Sequence, residues 1–487
     1  MGSANAAFIS DKNQFFNLLS KSDFEQVDVA AKKRPYRALL ETQIDLEAEF
    51  TQLFAVLQKQ NGGDSKEFWM YCYYCASLLE SFYKAYSNKS KETEYSNLKI
   101  QIRKRILKEP EDAPSKTAFA ETLVNNFTGS LINLKNSPSH SSQLRDYVAY
   151  ANVCRLYWTF TRLTLVNGLR FAKELQFLEQ LDAILGTHTD IEQIISVFQA
   201  PNGILNYLSV GFFLARFMID AGTLVRHVFF PTDEEKNAPM GERFRYELYK
   251  RHWNFGNDLV WATVNFLTNF NHITNIPGPV AGGITAVFLG FDVCMTLYRS
   301  YLFKQEYLIK KDQYEEELRN IHDEEDPRKE ILTKQQKELE IDWKTKEGKL
   351  YFAASAASLL MLGFSSTLIF SPPGIVIASY FACTVAIAMY LSTGCYGKYQ
   401  EKSLRLADAE LFNTGLDLAH KEFEAARSDF LFTMAKNVIV PTVLITTFAL
   451  YWPAAVVLTA VYLGHELLHS HDQHERNQEI QALSFSI

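Results

Sequence analysis

LYFAASAASLLMLGFSSTLIFSPPGIVIASYFACTVAIAMYLSTGCYG, residues 350–397, is the stretch on which the fold turns. It contains no Asp, Glu, Lys or Arg, and Ser371-Pro372-Pro373-Gly374 interrupts it midway. A bilayer core needs roughly 20 apolar residues of helix per crossing. The halves Leu350–Phe370 and Ile375–Cys395 are each about that long. A Pro-Pro-Gly break cannot continue a helix, because proline lacks the N–H and clashes with the preceding turn. The stretch therefore reads as a helical hairpin that enters a membrane, turns and returns. A buried hairpin of a water-soluble protein would need a whole helix circumference free of charge over the same length.

Working outward, the same alternation recurs. Gly241–Asn275 is polar first and apolar from Leu259, and Asn275-Ile276-Pro277-Gly278-Pro279 turns the chain. Val280–Asn320 is its mirror image, apolar to Tyr298 and then charged. Asp323-Glu324-Glu325-Asp326-Pro327 turns it again, and Arg328–Phe370 runs from charged to apolar. Beyond the Pro-Pro-Gly break, Ile375–Phe412 runs from apolar to charged, and Asn413-Thr414-Gly415 turns the chain. Leu416–Leu450 reverses that order up to Trp452-Pro453. Helices of ~35–43 residues would each be ~50–65 Å long.

Run up and down, they gather every apolar half at one end and every charged half at the other. The expected architecture is all-α: a soluble helical domain over 1–200, an amphipathic interfacial helix and linker over 201–240, and a membrane hairpin bundle over 241–464. Its hairpin turns lie near 277, 372 and 453, its charged halves form a helical stalk, and 465–487 is a His-rich polar tail. Ala454–Gly464 is too short to span, and Pro441 is placed to bend Asn437–Gly464 into a single crossing.

Composition limits the partners. The net charge is −7, with 22% charged residues, which argues against nucleic acid because phosphate neutralisation needs a basic face. Six scattered cysteines do not form a disulfide framework, which points to a reducing compartment for the soluble parts. The N-terminus shows no signal-peptide pattern, and Ala6 stands where a myristoylation signal needs Ser or Thr. Lys and Arg concentrate in 304–349 and 398–436, which assigns those blocks to the cytosolic side. The same charged helices offer a surface for a protein partner, by coiled coil or otherwise, and leave oligomerisation open.

In the N-terminal part, periodic apolar positions predict helices over Tyr36–Gln58, Phe68–Tyr86, Ala118–Leu134 and Gln143–Leu185. Phe68-Trp69-Met70-Tyr71-Cys72-Tyr73-Tyr74-Cys75 holds a CxxC but no second ligand pair, and reads as an aromatic core helix. Leu205–Phe230 is apolar yet carries Arg216, Asp220 and Arg226. Arg216 and Asp220 share a helix face and can pair. Charges in a membrane are costly unless paired or facing a cavity, so Arg216, Asp220, Asp258 and Asp292 are candidates for a polar path, as a channel or transporter would need.

The strongest chemical motif is His465-Glu466-Leu467-Leu468-His469, followed by Ser470-His471-Asp472-Gln473-His474. On a helix His465 and His469 share a face, which suits two imidazoles on one Zn²⁺, with Glu466 as general base for a bound water. The motif resembles that of zinc metallopeptidases, including membrane-embedded families. That resemblance implies a membrane-bound zinc peptidase, with further ligands from Asp472 or His474, or from Asp258, Asp292 or His420 on neighbouring helices. Asp472 and Glu475 stand where the extended HExxHxxGxxH pattern has glycine and histidine. No Walker A loop, GxSxG or kinase signature is present.

The end of the chain, Glu475–Ile487 (ERNQEIQALSFSI), places glutamates ahead of a short apolar terminus. It resembles the C-terminal translocation signals of effectors that intracellular bacteria deliver through type IV secretion. The hairpins, charged stalk and N-terminal domain lead to the expectation of an integral membrane scaffold or remodelling protein that recruits partners, and the resemblance implies a translocated effector acting at a host organelle membrane.

Overall fold

The computed structural model describes residues 2–59, 66–107, 141–185, 190–199, 202–321, 326–412 and 415–450. The described chain is all-α, with no strand. The N-terminal helices are α1 (Gly2–Leu18), α2 (Phe24–Lys32), α3 (Tyr36–Lys59), α4 (Lys66–Ala85) and α5 (Lys89–Leu107). They are followed by α6 (Ser141–Glu174), α7 (Phe177–Leu185), α8 (Ile191–Gln199) and α9 (Asn202–Phe229). Five long helices complete the described residues: α10 (Met240–Asn269), α11 (Gly278–Asn320), α12 (Pro327–Ile369), α13 (Pro373–Phe412) and α14 (Leu416–Leu450).

Each expected turn within the described residues stops a helix for a local reason. Pro277 and Pro372 stand just before the starts of α11 and α13, where a missing N–H costs nothing. Asn275 adopts the left-handed conformation (φ 57°), which asparagine tolerates better than most residues. Gly415 (φ +61°) reverses the chain between α13 and α14, a backbone state that a side chain would strain. Pro441 lies inside α14, and the helix continues through it to Leu450. The turn at Trp452-Pro453 and the segment Ala118–Leu134 lie outside the described residues.

One expected helix divides. Gln143–Leu185 forms α6 and α7, separated at Gln176, which adopts φ 55°. Neither Gly nor Pro marks that break, so nothing in the local sequence announces it.

By compactness the chain forms two units, with boundaries inside α6, α9, α10, α11 and α12. The first comprises Met1–Asp146, Phe217–Gly256 and Lys310–Glu340. The second comprises Tyr147–Arg216, Asn257–Ile309 and Ile341–Ile487.

The first unit is built around α4, whose residues Phe68–Leu79 are all buried. A helix apolar on every side belongs in the middle of a bundle. Phe15 of α1 stacks on Tyr74 at 4.9 Å, and Tyr36 of α3 stacks on Phe82 at 5.6 Å. The loop after α9 is fixed by Arg243, which donates to the carbonyls of His227, Val228, Glu235 and Ala238 at 2.6–3.0 Å. Those carbonyls include the C-terminal ones of α9 that its own helix leaves unpaired.

In the second unit consecutive helices pack antiparallel. For α9 and α10, Phe213 stacks on Trp261 and Asn269 donates to Ser209 at 2.6 Å. For α11 and α12, Gly282 meets Leu368, Gly290 meets Met361 and Tyr307 stacks on Trp343 at 5.6 Å. For α12 and α13, Gly363 meets Cys383 and Phe352 stacks on Tyr396 at 4.2 Å. For α13 and α14, Lys402 pairs with Glu422 at 2.8 Å and Asn437 donates to Ser392 at 3.2 Å. In every pair the two residue numbers move in opposite directions, as hairpins require.

Candidate functional site

The functional feature with the most structure behind it is the apolar layer of the second unit. Four stretches are long and apolar enough to cross a membrane: Ile191–Phe229, Gly278–Asn320, Pro327–Ile369 and Pro373–Leu411. Between 11% and 33% of each apolar window is buried, and the rest is half-buried or exposed. On α12 and α13 the buried part is mostly small groups, Ala356, Ala357, Cys383, Ala386 and Ala388, with Leu360 and Ile387, while Phe160, Phe213, Trp261 and Leu289 of other helices complete the same core. Leu362, Ile369 and Phe381 are exposed on α12 and α13, as are Val287 on α11 and Phe370 in the turn after α12. A water-soluble bundle turns its large side chains inward, whereas helices that pack among lipid put small residues at their contacts and large ones outside.

Several charged and polar groups within this layer find partners on neighbouring helices. Arg216 of α9 pairs with Asp258 of α10 at 2.8 Å, and Asp258 has no exposed surface. Asn257 also donates to Asp258 at 3.1 Å. Trp261 Nε1 donates to Asp292 of α11 at 2.9 Å. The structure therefore joins Arg216 to Asp258, and Asp292 to the helix that carries Asp258. Asp220 belongs to the first unit, where Arg145 donates to it at 2.7 Å and Arg251 stands 3.7 Å away. Arg216 and Asp220 each find an opposite charge on another helix.

The first unit contains a charged cluster that the sequence reading missed. Glu49 of α3 is fully buried. Lys12 of α1 donates to it at 2.8 Å, Tyr314 of α11 at 3.0 Å and Gln335 of α12 at 3.1 Å, while Lys310 lies 3.5 Å away. Lys12 also donates to Glu317 at 2.8 Å. Burial alone would push the Glu49 carboxyl up; Lys12 and Lys310 overcome it and hold the group down at about 2. Burial would likewise push Lys12 down, and Glu49 and Glu317 hold it above the usual lysine range. A cavity of about 200 Å³ opens beside the cluster, lined among others by Lys12, Glu49, Glu317 and Arg328. Two lysines face two glutamates, so the cluster is balanced in charge and suited to fixing helices together. One signal was available: Glu49 lies on the apolar stripe of α3 between Leu46 and Leu53.

Cys72 and Cys75 are fully buried in α4, and burial pushes both thiols up. That is the opposite of the lowered value a redox or metal-binding thiol needs. Among the described residues no three His, Cys, Asp or Glu side chains gather as a metal site. His465, Glu466, His469, Asp472 and His474 lie outside the described residues. Of the proposed additional ligands, Asp258 is engaged by Arg216, Asp292 by Trp261, and His420 is exposed on α14. No family model matches the chain, and no curated protein or solved structure matches it either.

Proposed function

We propose that this chain is an integral membrane scaffold whose hairpins insert from the cytosolic side. Its charged helix halves and helical N-terminal unit then offer a cytosolic surface for recruiting partners. The observation that carries this reading is the outward-facing apolar surface of four helices long enough to cross, of which no more than 33% is buried in any window. Leaving that much large apolar surface in water is unfavourable by about 25 cal/mol per Å², and lipid removes the penalty. The small buried residues of α12 and α13, Ala356, Ala357, Cys383, Ala386 and Ala388, are of the kind that helices packed within lipid place at their contacts. The Lys- and Arg-rich blocks 304–349 and 398–436 orient the charged halves toward the cytosol. The tail Glu475–Ile487 supports delivery as a type IV effector, with a host organelle membrane as destination.

Alkaline carbonate extraction combined with protease protection tests the reading. The expressed protein is expected to stay in the membrane pellet. In sealed vesicles with the cytosolic face outward, added protease is expected to cleave within 304–349 without detergent. Release by carbonate into the soluble fraction would overturn membrane insertion, and protection of 304–349 would reverse the orientation.

A further inference from the structure

Helix α11 has two different faces. Ala281 and Leu289 are buried, and Gly282 and Gly290 are pressed against Leu368 and Met361 of α12. The opposite face carries Val280, Ile284, Val287, Phe291, Cys294, Tyr298, Tyr301, Gln305 and Leu308, of which Ile284 also packs on the core of its own unit and Gln305 is half-buried. Their spacing is four, three, four, three throughout, the repeat by which two helices wind round each other with side chains interlocked. None of these positions carries a charge. Val287 is 71% exposed and Tyr301 56%, and Cys294 is exposed. Of the four apolar windows, that of α11 is the least buried, at 11%.

Lipid covers only part of this stripe. Asp292 is the one charge within the apolar half of α11, Arg299 ends that half, and Lys304 and Glu306 follow it. Tyr301, Leu308 and Ile309 are exposed beyond that point, where acyl chains give way to water. A second helix of the same kind covers both parts. We propose that α11 pairs with α11 of a second copy of this chain, parallel and about a two-fold axis along the membrane normal. This inference rests on the membrane reading for the parallel orientation, because both copies insert from one side.

In a parallel pair each position meets its own copy. Cys294 then faces Cys294, and Gln305 faces Gln305, giving the single polar layer that fixes register in such pairs. The area is adequate. Taking ~150–250 Å² for each large exposed residue, the exposed fractions along the stripe amount to at most roughly 450–750 Å² per copy. Two copies would bury at most on the order of 900–1,500 Å², which reaches the ~1,200–2,000 Å² of stable interfaces.

The test uses the full chain in isolated membranes, oxidised mildly with copper phenanthroline. A disulfide-linked species of twice the chain mass is expected. It should fall at least tenfold with Cys294→Ser and persist when the other five cysteines are changed to serine. Light scattering in detergent should report a dimer, and Tyr301→Asp with Leu308→Asp should return a monomer that still resists carbonate extraction. A wild-type monomer, a dimer without the Cys294 link, a dimer unaffected by the double substitution, or an adduct with a different protein would each overturn the pairing. A monomeric, uncrosslinked result would mean that lipid or residues 451–487 cover the stripe. Loss of carbonate resistance in the wild type would instead count against the membrane reading itself.

Discussion

Arg216 of α9 and Asp258 of α10 form an ion pair at 2.8 Å, with Asp258 wholly buried and Arg216 nearly so. Removing one member of a buried pair leaves a charge without compensation and typically costs about 3–5 kcal/mol. Replacing both members with apolar residues of similar volume is often neutral. Asp258→Ala is therefore expected to lower the melting temperature of the detergent-purified protein strongly. Arg216→Met with Asp258→Leu is expected to recover most of that loss. Thermal unfolding followed by size-exclusion chromatography measures both, and a double variant as unstable as the single one would show that the pair is not the stabilising unit.

The α12–α13 hairpin depends on one close approach. A Cβ at Gly363 would lie 2.8 Å from the Ser379 carbonyl oxygen and 2.9 Å from Cys383 Sγ, and the first of these is backbone. Gly363→Ala therefore requires the helices to separate, at about 1–3 kcal/mol for overpacking. Gly394 of α13 has nothing within 4 Å of the same construction, so Gly394→Ala should gain up to ~1 kcal/mol of helix propensity. Opposite shifts in melting temperature for the two substitutions are the expected outcome. Equal shifts would show that helix propensity, and not the contact, governs both.

The hairpin helices and their described turns were legible because local rules carry them. Pro277, Pro372 and Gly415 stop helices through their own backbone chemistry, and charge-free runs of about 20 residues stand out in any window. Which helices pack together was less accessible. The ends of α10, α11 and α12 join the unit built on α4, and the contacts of Glu49 with Lys310 and Gln335 span sequence separations that no periodicity encodes. Arg216 and Asp220 looked like partners because a one-helix view offers only neighbours four residues apart. Their partners Asp258 and Arg145 come from other helices, and only tertiary packing selects them.

The Cys72–Cys75 motif offers a simple chemical check. Thiolate is the reactive form, and burial pushes both thiols well above their ordinary values. Both should resist maleimide at pH 7 in the native protein and react once denaturant opens the α4 core. Mass spectrometry after labelling with and without denaturant counts the modified sites. Rapid native labelling at Cys72 or Cys75 would mean that α4 is not the closed core helix described here.

The Glu49 cluster predicts an acid-labile unit with a defined window. Its carboxyl is held at about 2 in the folded protein, against an ordinary value near 4.5. A depressed carboxylate contributes stability that is fully present above the unfolded value and lost as pH falls through the folded one. The contribution is thus complete above about pH 4.5 and is lost progressively down to about pH 2. At neutral pH, Glu49→Gln leaves Lys12 with Glu317 alone and removes the carboxylate 3.5 Å from Lys310, at an expected cost of about 3–5 kcal/mol. The variant should also lose much of the decline in stability between pH 4.5 and 2, because Gln does not titrate. Urea unfolding monitored by near-ultraviolet circular dichroism at several pH values separates the two effects. A variant that is destabilised at pH 7 yet keeps the full acid slope would assign that slope to other carboxylates, such as Asp28, which its contact with Lys99 also holds low.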